Sequence, residues 1–484
     1  MHMSDTHSDQ CPTGLDAPTR GQRMAALRAF AKAGLACPTP PHAEFTNCHI
    51  HTTYSFSPYT PAKAAYMAWA SGLAVAGIMD HDSVAGADEF MEAGRVLGIA
   101  TTVGIEMRCS FASTPFVGKL INNPDQSSVA YLALHGIPSR SLDAVERFAA
   151  PYRARRLRRC RDMANRANSV FGGLGIRLDF DRDVAGISQA ASGGTVTERH
   201  ILFALARKLI ERHGAGEPLL SCLRGAFGVH VPNGLKQLLA DAGDADDIGD
   251  AGYAGAAGAA GDAGAAGAAG DVGDAGAAGD DYAYRLLGLL KGQFIGMFYI
   301  DAADELPDFG EFIALAAKTG GIAAYAYLGD VRGSATGDKR DQAFEDGYLG
   351  DLIEWLGRQG FRAVTYVPAR NTPAQLSRLD SICRANGLMQ ISGEDINAPF
   401  QPFACQKLAE PRYRHLAESA WALVGHGAAA AKRLEDGMFS HGAIAACPPL
   451  DERVARFAAI GRAGSPAAAL AAMEPMAAVQ GEQY

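Results

Sequence analysis

Residues 47–55 read Asn-Cys-His-Ile-His-Thr-Thr-Tyr-Ser, with His49 and His51 two positions apart after a short apolar run. On a strand, side chains at i and i+2 share a face, so these two imidazoles could hold one metal ion. Further candidates follow along the chain: Asp80-His81, Glu106, His135, His200 and Asp395. Imidazoles suit zinc, iron or manganese, and carboxylates can bridge two ions. A single histidine near a strand end is more often structural than a ligand. What points to metal chemistry is the recurrence of an acid or a histidine at the end of one apolar run after another.

The elements that must position these residues are legible as an alternation. Strand one ends at the His pair. Thr60-Pro61 then opens a helix with a capping residue and a proline at its first position. Residues 74–79 are a short apolar run, read as strand two, ending in Asp80-His81-Asp82-Ser83; a helix over about 85–97 stops at Gly98; residues 100–105 form strand three, with Glu106 at its end. This rhythm predicts a parallel sheet with helical crossovers, and such sheets and barrels build their sites at the C-terminal strand ends. Residues 129–134 read as a strand ending at His135. A helix over about 142–170 carries Arg153, Arg155, Arg156, Arg158, Arg159 and Arg161, and reads as a solvated face, without the interleaved aromatics of a nucleic-acid surface. A helix over 197–213 has His200 in its first turn. Residues 321–328, 363–367 and 388–392 read as later strands, with helices over 348–358 and from Thr372-Pro373. The last strand runs into Gly393-Glu394-Asp395-Ile396-Asn397.

With 484 residues the chain has room for one large domain with additions, or two to three smaller ones. A net charge of −9 argues against non-specific nucleic-acid binding. The nine cysteines form no C-x-x-C pair, which fits reduced thiols in a cytoplasm. No secretory signal and no membrane-length apolar run is evident, so a soluble cytoplasmic protein is expected. The expected organisation is a leader and helix over 1–43, a catalytic domain over 44–403 and an Ala-rich helical extension over 404–484. Inside the domain, residues 240–281 turn abruptly to Gly, Ala and Asp and read as a flexible low-complexity insertion.

His49-Ile-His51, Asp80-His81, Gly104-Ile-Glu106 and Gly393-Glu-Asp395-Ile-Asn397, in that order, resemble the PHP (polymerase and histidinol phosphatase) superfamily. Thr197-Glu-Arg-His200 and residues 360–377 add to the likeness, which spans about 44–403. The resemblance implies an α/β fold, a distorted (β/α)7 TIM-like barrel, with a two- or three-metal site at its C-terminal mouth. Carried over, His49, His51, Glu106 and Asp395 would hold one ion. Glu106 would bridge to a second held by His135 and His200. The third ion of some members needs an Asp or His where this chain has Phe56, and a final His where it has Asn397; only His81 remains. Two divalent ions per chain (zinc, manganese or iron) are therefore expected. Ala324-Tyr-Ala-Tyr327 also stands where many members carry Ala-His-Pro.

The family activity is phosphate ester hydrolysis, so the expected function is hydrolysis of a small phosphorylated metabolite by metal-activated hydroxide. His81 is the candidate for a leaving-group contact and Asp80 for orienting a ligand imidazole. Arg108, Lys119, Arg140 and Arg370, near strand ends, are candidate phosphate contacts. The rival readings are another metal-dependent hydrolase or a nuclease, and a catalytically silent metal-binding regulatory domain. Neither a nucleic acid nor a membrane is an expected partner.

Overall fold

The structure, a computed structural model, describes residues 11–34, 37–39, 41–231, 233–240, 275–331 and 342–465. In chain order its elements begin with α1 (Arg20–Lys32), β1 (His42–Ile50), α2 (Pro61–Ala70), β2 (Leu73–His81), α3 (Ala87–Leu97), β3 (Ala100–Ser110) and β4 (Val129–His135). A helical stretch follows: α4 (Leu142–Phe171), α5 (Glu198–His213), α6 (Glu217–Phe227), α7 (Asn233–Ala240), α8 (Ala275–Phe298) and α9 (Phe309–Thr319). The chain then returns to β5 (Ile322–Ala326), α10 (Leu349–Gln359), β6 (Ala363–Tyr366), α11 (Pro373–Ala385) and β7 (Met389–Ser392), and ends in α12 (Arg414–Lys432), α13 (His441–Ala446) and α14 (Leu450–Ala463).

The strands form one seven-stranded sheet in the order β1 to β7. An isolated parallel bridge, Ile50 to Ile396, brings the end of β1 to the segment after β7. There His51 N–H donates to the Ile396 carbonyl at 3.0 Å and Ile396 N–H to that of His49 at 3.3 Å. The result is a nearly closed α/β barrel, as the sequence predicts. Local signals set its helices: Thr60 caps α2 ahead of Pro61, Gly98 ends α3 with φ 77°, and Thr372 and Gln375 form a reciprocal cap on α11.

One strand departs from the parallel expectation. β4 runs antiparallel to both β3 and β5. The segment between β3 and β4 carries no crossover helix, the usual device for returning a strand in the parallel sense.

Three apolar clusters organise the packing. The outer one joins the outward faces of the strands to the surrounding helices, and includes Met24 and Leu27 of α1. The inner one places Val75, Ala100, Ile322, Ala363 and Met389, at or near the N-terminal ends of parallel strands, against Ala420, Ala422 and Leu423 of α12. The Ala-rich C-terminal helices therefore stop the barrel at that end. The third is helical, built from α4, α5, α6 and α8, and takes in Phe56 and Ala398 from the opposite mouth. The sequence reading did not anticipate this helical core. Most of the Gly/Ala/Asp stretch, residues 241–274, lies outside the described residues, as do 1–10 and 466–484; α8 begins within it, at Ala275. Among the described residues no helix is long and apolar enough to cross a membrane.

Candidate metal centre

The ends of β1, β2, β3 and β7 converge at one mouth of the barrel. A register shift in β1 between Asn47 and Ile50 re-aims the strand just where the His pair begins. Gly393 allows the close approach of the last strand: a Cβ there would lie 2.5 Å from that of His49. Among the described residues, His49, His51 and Glu106 form the group whose ligand atoms are close enough to share an ion, and all three are buried. His49 Nε2 and His51 Nε2 are 3.2 Å apart, and Glu106 Oε2 is 3.7 Å from His49 Nε2. This is close to the spacing expected of ligands each about 2.1 Å from one ion. Asp395 Oδ1 lies 3.1 Å from His51 Nε2, and His81 Nδ1 lies 3.1 Å from Glu106 Oε2.

The orientation of His51 is built in. Its Nδ1 is 3.2 Å from Ser55 Oγ, whose own proton goes to Asp80 Oδ1 at 2.6 Å. The hydroxyl therefore accepts from the His51 Nδ1–H, which leaves the Nε2 lone pair toward the cluster. Asp80 is held in turn by the Thr52 N–H and hydroxyl, at 2.7 and 2.6 Å. Asp80 thus reaches a candidate ligand through Ser55, a link absent from the sequence reading although Ser55 closes the opening stretch.

His135 arrives from a different direction. Because β4 is reversed, its C-terminal end points to the closed end of the barrel; Ala133 pairs with Glu106 and His135 with Ile322. His135 is 1% exposed, and among the described residues its Nε2 has no hydrogen-bond partner. Its charged neighbours are His49 and Glu106. A buried imidazole nitrogen left orphaned beside two candidate ligands fits an ion at this place. His200 is placed otherwise. As third residue of α5 it closes a capping box, accepting the Thr197 N–H at Nδ1 over 3.0 Å. In its neutral form the proton then sits on Nε2, which makes that atom a donor. Its ring packs edge-on to Phe56 at 5.0 Å.

Burial drives the histidine equilibria. It pulls His81 down to about 4 against the pull of Glu106, and His135 and His200 down to about 3. For His51 burial is outweighed by Asp395, Glu106 and Asp80, and the net shift is upward. Burial pushes Glu106 up, but His49, His81 and His51 outweigh it and keep the carboxyl below its usual range. An ionised Glu106 beside the neutral imidazoles of His81 and His135 is a donor set that suits a divalent cation, while binding an ion at His51 would displace the proton that its carboxylate neighbours favour.

The cluster opens into a cavity of about 100 Å³ lined by His49, His81, Glu106 and Asp395 together with Tyr131, Tyr327, Tyr366, Lys291 and Arg370. Of the four cations expected to meet substrate, Arg370 lines it. Arg108 is instead bound to Glu198 and Glu305. Lys119 is exposed and lies over the Tyr348 ring, and Arg140 donates to the Lys432 carbonyl at 2.7 Å. Arg140 follows the reversed β4, so it emerges at the barrel end away from the site. Lys291 of α8, from the unanticipated helical core, lines the cavity in addition.

The arginine helix also differs from expectation. Arg156 and Arg159 are buried, with Arg108, in a network with three carboxylates. Arg156 bonds Asp82 at 2.7 Å and Glu198 at 2.8 Å; Arg159 bonds Glu305 at 2.6 Å and also Glu198. Helical periodicity turns these two inward while Arg158 and Arg161 stay exposed.

No family model and no curated relative matches the chain. Among solved structures it is similar to one from Bifidobacterium adolescentis described as a "putative metal-dependent phosphoesterase", with TM-score 0.46 and 20% identity over 76% of this chain and 92% of that one. It is also similar to an amidohydrolase from Chromobacterium violaceum with bound sulfate and no metal, with TM-score 0.45 and 16% identity over 77% of this chain and 95% of that one. The chain's own geometry defines its class: a nearly closed α/β barrel whose His/His/Glu cluster fits a metal-dependent hydrolase.

Proposed function

We propose that this chain is a metal-dependent phosphoesterase of the PHP type, acting on a small phosphorylated metabolite. The observation that carries the reading is the pair of Nε2 atoms 3.2 Å apart beside Glu106 Oε2, at the edge of an open cavity. His49, His51, Glu106 and Asp395 would hold a divalent ion, with the buried His135 as a further candidate ligand. Such an ion supplies a water of lowered pKa and polarises a phosphoryl oxygen. The protein's part is to orient and to enclose. Ser55 and Asp80 fix His51. Arg370 and Lys291 offer positive charge to an anionic substrate along the cavity wall, where Tyr131, Tyr327 and Tyr366 limit water. His81, which lines the cavity 3.1 Å from Glu106, would be the residue to meet a leaving group. The hydrogen bond to His200 Nδ1 favours a form of this reading with one tightly held ion in place of two.

Metal analysis of the purified protein tests the centre: one or two ions per chain are expected, and none would sink the reading. Phosphomonoesters and diesters assayed with added manganese or zinc, with His49→Ala as control, test the chemistry. Activity surviving in His49→Ala would place it elsewhere.

A further inference from the structure

Phe56 and Asn397, the two positions where the chain departs from the three-metal pattern, both touch the same guanidinium. Arg199, the second residue of α5, is 6% exposed, and its guanidinium lies over the Phe56 ring at 5.1 Å from the centroid. Its Nη2 donates to Asn397 Oδ1 at 3.0 Å. Arginine carries donors only, so Asn397 must turn its carbonyl oxygen to Arg199. That leaves the Asn397 amide nitrogen to donate to Asp395 Oδ1 at 2.8 Å. The same Oδ1 lies 3.1 Å from His51 Nε2. The Asn397 backbone is fixed as well, its N–H donating to Gln401 Oε1 at 2.6 Å.

We propose that Arg199 is a positioning residue for the metal centre: stacked on Phe56, it locks the Asn397 amide in the one orientation that donates to Asp395, and so holds Asp395 beside His51. The inference rests on the metal-centre reading. Both partners impose this one orientation, since the flipped amide would set its oxygen against Asp395 and its nitrogen against the guanidinium. Without Arg199 the Asn397 side chain loses its anchor on α5, and it can swing together with Asp395 away from His51.

The test is zinc affinity of the full chain, measured by competition with a chromophoric chelator, with a thermal melt of each metal-free variant to establish folding. Arg199→Gln and Asn397→Leu are each expected to weaken zinc binding about 10- to 100-fold, the usual cost of losing an outer partner of a ligand. The double variant is expected to bind no more weakly than Asn397→Leu alone, because the relay is already cut. A merely structural role would instead make the two losses multiply, and that result overturns the proposal. Wild-type affinity in Arg199→Gln also overturns it, provided His49→Ala loses the metal. Should Arg199→Gln not fold, wild-type affinity in Asn397→Leu is equally decisive against it. If His49→Ala itself binds like wild type, the metal centre is what fails.

Discussion

Two clusters of buried charge meet at the end of β2, and the chain sorts adjacent residues between them. His81 belongs to the imidazole–carboxylate cluster. Asp82, turned by a left-handed backbone at φ 52°, belongs to the arginine network. In the network, Arg108, Arg156 and Arg159 face Asp82, Glu198 and Glu305, so every buried carboxylate meets a permanent cation from the chain itself. Burial alone would raise Glu198, yet its three arginines hold it well below the usual carboxylate range. In the other cluster Glu106 and Asp395 face imidazoles, which can be neutral, and His135 Nε2 has no partner among the described residues. A third case calibrates the pair. Glu345 is fully buried and has no cation against it in the hydrogen bonds it accepts from the Leu328 and Gly329 N–H groups, and burial pushes it up to about 7. A buried carboxylate thus takes an arginine, a proton or a metal ion, and the arginine network and the His/His/Glu cluster differ in which of these they leave room for.

The largest effect should come from emptying the metal cluster. His49→Ala is expected to abolish stoichiometric metal binding, read by metal analysis after dialysis, and with it the thermal stabilisation that added metal gives the wild type; metal retained at full stoichiometry would dissolve the contrast. Next, Arg159→Met leaves Glu198 and Glu305 short of a cation in a dry site. It should cost about 3–5 kcal/mol in denaturant unfolding, as broken buried pairs do. A cost under about 1 kcal/mol, the usual value of a surface pair, would show the network to be solvated. Ser55→Ala frees the His51 ring and should weaken metal binding about 10- to 100-fold, which is about 1.4–2.7 kcal/mol, while leaving the fold intact. The last effect is a slope and not an offset, the pH dependence due to Glu345. Its folded pKa lies above its unfolded value, so its contribution is full below about 4.5 and is lost as pH rises to about 7. Glu345→Gln should therefore flatten the stability curve in that window, by no more than about 1.4 kcal/mol per pH unit. An unchanged slope would mean that Glu345 is ionised in the fold.

What could be read from the sequence was what is local. The His pair, Asp80-His81, Glu106 and Asp395 each follow a short apolar run, and strand ends are marked by where such runs stop. The helix caps at Thr60 and Thr372 were visible for the same reason. The reversal of β4 was not, because apolar alternation carries no direction; the missing crossover helix between β3 and β4 was the available signal. That reversal is also why Arg140 lies at the wrong end. The arginine network escaped because its partners are distant: Arg159 meets Glu198 and Glu305, far down the chain, and no spacing rule links them. The helical core over the mouth was similarly hidden, since its halves are separated by the low-complexity stretch.

The bridge between Ile50 and Ile396 has a consequence for how the molecule assembles. Asn47, just before the His pair, donates to the carbonyl of Glu394, 347 residues away in sequence. The first and last strands of the sheet thus meet where His49, His51 and Asp395 meet. A nascent chain would carry both histidines long before Asp395 existed, and the complete donor set would arise only with the final strand. An ion bound there would act as a clasp on the longest loop in the barrel, tying its affinity to closure of the whole ring. Chelation should then loosen the β1–β7 seam first, in amide exchange of His51 and Ile396, before any other strand pair opens.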